Sequence, residues 1–184
     1  MRRIPEAGAR STTPTSRGLS AIARLGRADD RGFTSAEHVS SKSQISSLVV
    51  ATAAVRDEGT SFHYLPASRS VAAPTGPVEP LASELRRLGL PVYKGMVWTT
   101  DAPYRETRQQ LDRGEEGVLA VEMQAASLFA LAQVRHAQIA VVAHVSNATD
   151  HEGEPFNRGS EKEGVEILTA ICRAGLIAPE TQST

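Results

Sequence analysis

The sequence is poor in cysteine, in aromatic residues and in long apolar runs. Its single cysteine, Cys172, excludes an internal disulfide and a cysteine-based metal cage, and it indicates a reducing, cytoplasmic location. Aromatic residues make up only 4% of the 184 residues although the apolar share is 40%, so the core must be aliphatic. No apolar run approaches the roughly 18–20 residues that span a bilayer, so no membrane contact is expected.

The sequence also lacks the short motifs that announce common kinds of catalysis. It contains no GxGxxG, no Walker loop, no HExxH and no GxSxG. Its histidines show no ligand spacing, so we expect neither a metal nor another cofactor. The formal net charge of −1 implies no general attraction to nucleic acid.

Charge is unevenly distributed and marks a boundary. Residues 1–44 contain eight Lys/Arg and four Asp/Glu, whereas the rest of the chain contains 12 and 17. The first segment is also rich in Ser, Arg, Gly and Thr and has almost no apolar periodicity. We therefore predict a disordered or unrelated leader at 1–44, a single α/β domain at 45–178 and a flexible tail at 179–184.

Strands and helices alternate along the predicted domain. Short apolar runs predict strands at Leu48–Val55, Val92–Trp98, Val118–Val121 and Ile139–Ala143. Periodic or Ala/Leu-rich stretches predict helices at Val78–Leu88, Asp101–Arg113 (capped by Thr99 or Thr100), Ala125–Gln133 and Ser160–Ala174. This order predicts an α/β fold in which helices flank a central mixed sheet.

The stretch from Val118 to Asp150 reads as one strand–helix–strand unit. If its two strands are parallel, their carboxyl ends lie at the same edge of the sheet, where open α/β sheets bind ligands. Glu122 and Gln124 would then face the same crevice as Ser146 and Asn147. An acid such as Glu122, directly after an apolar strand, is either a ligand contact or an exposed loop residue, and the pattern alone leaves both open.

Four segments in order and spacing resemble nucleoside phosphorylases, the uridine and purine enzymes of the trimer- and hexamer-forming class. Gly117–Ala132 is similar to the ribose-binding signature of that family, and Val49–Tyr64 to the strand and loop after its phosphate site. Trp98–Thr107 resembles the base-pocket segment, and Val142–Asn147 the strand end beside the base. The resemblance runs from about Leu48 to Gly175 and implies a three-layer, phosphorylase-like fold that is incomplete at its amino-terminal side.

The resemblance implies a reaction in which phosphate attacks the anomeric carbon of a nucleoside and yields ribose 1-phosphate and free base. Positive charge builds on the sugar, and groups that bind the 2′- and 3′-hydroxyls favour it. Glu122 takes this catalytic role and Met123 packs on the sugar. The family implies further substrate contacts at Gln124, Thr100, Tyr104, Ser146 and Asn147.

Two positions depart from the family pattern. Gln124 stands where a second Glu is usual, so it hydrogen-bonds hydroxyls without bringing negative charge. Asn147 stands where purine-specific members often carry an Asp, and an amide cannot act as a general acid. These departures favour a pyrimidine such as uridine, or a purine held by hydrogen bonds alone.

The phosphate site is the largest departure. The family builds it before the segment that matches Leu48, from a glycine-containing loop and arginines that cradle a dianion. Residues 40–45 contain no glycine-rich turn and no matching arginine, and neither Arg56 nor Arg69 is a natural replacement. Three hypotheses follow: a nucleoside phosphorylase with compromised activity, an inactive nucleoside-binding remnant or partner subunit, and a nucleosidase in which water replaces phosphate. The family also implies a homo-oligomer whose only other partners are the nucleoside and phosphate.

Overall fold

The computed structural model describes residues 29–38, 46–102, 117–148 and 165–169. Its elements are β1 (Asp29–His38), β2 (Leu48–Asp57), a 3-10 helix (Thr60–His63), β3 (Ser70–Ala72), α1 (Thr75–Arg87), β4 (Val92–Thr100), β5 (Val118–Glu122), α2 (Ala125–Arg135) and β6 (Gln138–Ala148). Residues 165–169 are also helical, within the predicted C-terminal helix. The predicted helix Asp101–Arg113 and the tail 179–184 fall outside the described residues, apart from the first two positions of that helix.

The four predicted strands are all present, and each of them extends further than its apolar run. β2 continues to Asp57 and β4 to Thr100, so Thr99 and Thr100 belong to a strand rather than to a helix cap. α1 begins at Thr75, earlier than the predicted Val78, and Gly89 follows its end with a φ of +81°. A glycine in this left-handed conformation is the usual way to end a helix.

The sheet is mixed, and an additional strand pairing closes it. Its order is β3-β2-β4-β5-β1-β6, and β2 also pairs with β6. β2, β4 and β5 are neighbouring parallel strands, whereas β3 and β6 both pair antiparallel with β2. The predicted α/β fold with a mixed sheet and flanking helices is confirmed.

The predicted parallel pairing of the strands on either side of α2 is wrong. β1 lies between β5 and β6, antiparallel to the first and parallel to the second. The two strands therefore run in opposite senses, and their ends meet only through the end of β1, where Glu37 pairs with both Val121 and Asn147. The sequence of the strand–helix–strand unit cannot predict that β1, from an earlier part of the chain, lies between its two strands.

β1 comes from the segment that was predicted to be a leader. It pairs with β6 from Asp29 to His38, and its Thr34 and Ala36 side chains are buried. Gly32 lies under α2 so closely that an added Cβ would be 2.7 Å from Leu128 Cδ1. The ordered fold thus begins before the predicted boundary at residue 45, while residues 1–28 and 39–45 are outside the described ranges.

The core is aliphatic, as the composition predicts. α1 buries Val78, Leu81, Ala82 and Leu85, while α2 packs with an alanine-rich surface that includes Ala125 and Ala126. Small side chains let α2 approach the sheet closely, because alanine adds little thickness between helix and strand. Within the described ranges, neither helix combines the length and apolar character that a membrane-spanning helix needs.

Candidate functional site

Three polar side chains lie level with one another near the C-terminal ends of β2, β4 and β5. In the strand register Arg56 pairs with Thr99, and Thr99 pairs with Glu122. Paired residues of neighbouring parallel strands point to the same face of a sheet. All three are buried, with exposed fractions of 6%, 0% and 2% respectively. The sheet therefore places a guanidinium, a hydroxyl and a carboxylate in one buried row.

The Glu122 carboxylate is enclosed by hydrogen-bond donors of the protein itself. It accepts from Thr99 Oγ1 at 2.5 Å, from the Gln124 backbone N–H at 2.6 Å and from the Ala125 N–H at 2.9 Å. These N–H groups stand at the start of α2, where helices leave donors without an intrahelical partner. Glu122 thus caps α2, and negative charge at a helix N-terminus is electrostatically favourable.

Burial is the largest influence on this carboxyl and raises the pKa of Glu122 above the usual range of a glutamate. The hydrogen bonds that the carboxylate accepts lower the pKa in part. The nearby negative charge of Glu58 raises it again. The net effect is a carboxyl that holds its proton to higher pH than an exposed glutamate.

Thr99 connects this carboxylate to the next turn of the helix. Its hydroxyl donates to Glu122 and accepts from the Ala126 N–H at 3.0 Å. Successive N–H groups at the start of α2 are thereby satisfied by side chains that come from two different strands. The end of β4 and the start of α2 are held together by one hydroxyl.

A second carboxylate binds α2 from the loop after β2. Glu58 accepts from the Ser127 hydroxyl at 3.0 Å and from the Ser61 N–H at 2.9 Å. It therefore ties the 3-10 helix to the first turn of α2. The ends of three parallel strands converge on this one helix terminus.

Met123 and Gln124 occupy the turn between Glu122 and α2, and both side chains are exposed. Met123 is 53% exposed, unusually high for a large apolar side chain. Gln124 is the N-cap residue of α2, yet its side chain makes no capping hydrogen bond. An apolar thioether and an amide are thus what this turn presents to solvent.

The Arg56 guanidinium is bound within the protein. It donates to four oxygens of the following loop: Ser61 Oγ, Leu65 O, Pro66 O and Ser68 Oγ, at 2.7–3.2 Å. Its carbon Cζ also lies 4.0 Å from the centroid of the Phe62 ring. These contacts make Arg56 the organiser of the loop that carries Glu58.

None of the remaining predicted site residues makes a described hydrogen bond to Glu122. Thr100 follows Thr99 in β4 and so lies on the opposite face, where its hydroxyl accepts from the Ala102 N–H at 3.2 Å. Ser146 is buried and donates to the Ala36 carbonyl of β1 at 3.5 Å. β1 thus lies between the strand that ends at Glu122 and the strand that holds Ser146. Asn147 lies in β6 without a described side chain, and Tyr104 is outside the described residues.

Thr99, Glu58 and Ser127 were not predicted as site residues. The sequence predicts Thr99 as a possible helix cap, and Glu58 falls in the segment Val49–Tyr64 without a role of its own. A usable signal was present, because Thr99 directly follows the apolar pair Val97 and Trp98 at the end of a buried strand. A polar residue there must find a partner within the fold.

Comparisons with known proteins agree with this architecture. A family model described as the phosphorylase superfamily matches residues 39–176. The solved structure of the P. knowlesi homologue of P. falciparum PNP has a similar fold, with a TM-score of 0.69 at 16% sequence identity. The superposition covers 86% of this chain and 64% of that chain, so this chain spans less than two thirds of that protein's length. The comparison with curated proteins finds no match.

The matched region contains every element that builds the row Arg56, Thr99 and Glu122, and it begins directly after β1. It also contains the four segments on which the resemblance to nucleoside phosphorylases rests. Since one family model accounts for most of the sequence and the fold agrees with it, the chain belongs to the phosphorylase superfamily.

Proposed function

We propose that the protein is a nucleoside phosphorylase that cleaves a nucleoside with phosphate into free base and ribose 1-phosphate, with a preference for uridine. The observation that supports it most is the turn after β5. Met123 and Gln124, which match the ribose-binding signature, are exposed and are held from beneath by buried hydrogen bonds. A turn that must fit a sugar benefits from such rigidity.

The chemistry explains which side chains the sugar needs. Breaking the glycosidic bond gives the ring oxocarbenium character, and hydroxyl-binding groups orient the ring for that change. We assign the contact with the sugar hydroxyls to Gln124 and the apolar contact to Met123. The reason is that both carboxylate oxygens of Glu122 already accept hydrogen bonds from the protein. Thr100, Tyr104, Ser146 and Asn147 stay candidates for the base side.

The remaining features of the proposal come from the family. Inorganic phosphate is the co-substrate, no further cofactor is required, and the enzyme is a cytoplasmic homo-oligomer. We do not assign Arg56 to the phosphate, because its guanidinium makes four hydrogen bonds to the loop after β2. The alternative is a subunit that binds nucleoside without turning it over, because residues 40–45 contain no glycine-rich turn and no arginine that would cradle phosphate.

Incubation of the purified chain with uridine or inosine, with and without phosphate, tests the proposal. Phosphate-dependent release of uracil at a higher rate than hypoxanthine is the expected result. Release without phosphate indicates a nucleosidase instead, and binding without release indicates the inactive alternative. Absence of both binding and release contradicts the proposal as a whole.

The substitution Gln124→Glu restores the carboxylate that the family usually carries. If Gln124 contacts the sugar, the added charge should raise kcat/KM for uridine about tenfold, equivalent to about 1.4 kcal/mol of transition-state stabilisation. Steady-state kinetics measure this change. Gln133→Glu, at an exposed position near the other end of α2, is the matched control and should leave kcat/KM unchanged.

A further inference from the structure

The start of α2 is capped by residues other than its own N-cap residue. A side chain at the N-cap position normally turns back to accept from the second or third N–H of the helix. In this chain Gln124 holds that position and makes no such bond. Glu122 takes the N–H groups of Gln124 and Ala125, and Thr99 takes that of Ala126.

The Gln124 side chain is therefore not needed to cap α2. Because Glu122 and Thr99 satisfy the first donors of α2, the Gln124 amide can extend outward without leaving a buried N–H unpaired. The Glu122 carboxylate cannot bind the sugar without a loss of free energy. It would have to break its hydrogen bonds with three donors inside the fold, and each donor would then need another acceptor.

The charged groups around Glu122 come from three elements. Glu58, in the loop after β2, approaches α2 through Ser127 and places a second negative charge nearby. Arg56 of β2 is level with Thr99, but its guanidinium donates to the loop at residues 61–68. The positive counterpart of the two carboxylates is therefore the N-terminus of α2 itself.

We propose that Glu122 is a positioning residue and not a sugar ligand: with Thr99 it caps α2 in place of Gln124, so that the Gln124 amide alone supplies polar recognition of the sugar hydroxyls on this turn. Glu58 supports the same helix end through Ser127. The inference rests on the proposed nucleoside site, but the capping itself can be tested without ligand.

Amide chemical shifts of the ¹⁵N-labelled full chain, followed over pH, provide the test. The amides of Gln124 and Ala125 should share one titration, because both donate to the same carboxylate. Glu122→Gln should abolish that shared titration. Thr99→Val should move its midpoint to higher pH by removing a bond to the charged form, and Thr99→Ser should restore the original midpoint. Glu58→Gln should move it to lower pH, whereas Glu84→Gln on exposed α1 is a control without effect.

Addition of saturating uridine then separates the two roles of Glu122. A positioning carboxylate stays on its donors, so the shared titration persists while the side-chain amide of Gln124 shifts. Loss of the titration from both backbone amides on binding means that the carboxylate has moved to the sugar, which overturns the inference. Affinity should fall about tenfold in Thr99→Val, as expected when a charged hydrogen bond is lost, and recover in Thr99→Ser.

The ligand-free spectra keep the two proposals apart. If neither uridine nor inosine changes any resonance, the proposed function is rejected, while the shared titration still shows that Glu122 caps α2. If Gln124 and Ala125 do not titrate together in the wild-type chain, the capping is rejected whatever the chain binds. Since this last measurement needs no variant, it remains decisive even where Glu122→Gln fails to fold.

Discussion

The two longest helices among the described residues, α1 and α2, begin in opposite ways. α1 follows Pro74, makes no side-chain capping hydrogen bond and has no acidic residue in its first turn. Its charged side chains form exposed pairs, Glu79 with Lys94 and Glu84 with Arg87. α2 begins against two buried carboxylates and a buried hydroxyl, which come from the ends of three strands.

This difference shows which contacts at the start of α2 are not required for helix stability. α1 shows that packing of one apolar face suffices to hold a helix on this sheet without any cap. The buried polar groups at α2 are therefore more than helix formation requires, and burying them is unfavourable unless every partner is present. Costly polar burial at one helix end, beside an exposed Met and Gln, agrees with our proposal that this turn binds a ligand in one geometry.

The largest test of the comparison is Thr99→Val, which keeps the shape and removes the hydroxyl. The Ala126 N–H loses its acceptor and Glu122 loses a donor in a buried place, so the free energy of unfolding should fall by about 2–3 kcal/mol. Urea denaturation measures the change. Thr75→Val at the exposed start of α1 is the control and should stay within about 0.5 kcal/mol of wild type. Equal effects at both helices would remove the distinction.

A pH dependence should belong to α2 and be absent from α1. Because the folded pKa of Glu122 is raised, the folded chain holds a proton that the unfolded chain has released, between the ordinary pKa of a glutamate and the raised value. Over that range the contribution of Glu122 to stability decreases as pH rises, by at most about 1.4 kcal/mol per pH unit for one proton.

Glu122→Gln cannot titrate, so the stability of wild type relative to this variant should decline with rising pH across the same range. Denaturation of both proteins at several pH values measures the difference. A constant difference, or one that grows as pH rises, would contradict the raised pKa. Glu84→Gln should show no such trend relative to wild type, because the exposed partner Arg87 lowers the pKa of Glu84 instead.

The smallest expected effect is that of Ser127→Ala. The hydroxyl donor to Glu58 is lost, which should reduce the free energy of unfolding by about 1 kcal/mol. Ser83→Ala in α1 removes a comparable bond, the 3.3 Å contact to Glu79, but in an exposed place. The two substitutions change helix propensity alike. Unfolding curves that shift equally would therefore show that the more buried hydrogen bond at α2 contributes no more to stability than the exposed one at α1.

The sequence predicted the elements well and their neighbours poorly. Apolar runs located β2, β4, β5 and β6, because a strand buried on both faces must be continuously apolar. β1 was missed, because Asp29–His38 has little apolar character and becomes a strand only by pairing with β6 and β5. Because β1 lies between them, the strands on either side of α2 are antiparallel, whereas the sequence predicted parallel strands.

The contacts of the candidate site could not be predicted, for a related reason. The sequence singles out Glu122 by its place after a buried strand, but it does not identify the partners of Glu122. Thr99 lies 23 residues from Glu122 in the chain, and Ser127 lies 69 residues from Glu58. No periodicity within one segment reports a hydrogen bond between segments so far apart.

By itself the sequence determined the aliphatic core, the positions of most strands and helices, and the family to which the chain belongs, because those depend on local patterns of side chains. Only the tertiary structure decided that Glu122 faces inward and that Gln124 faces outward. The reason is physical: the direction of a side chain at a strand end depends on which donors the neighbouring strands and helices bring to it.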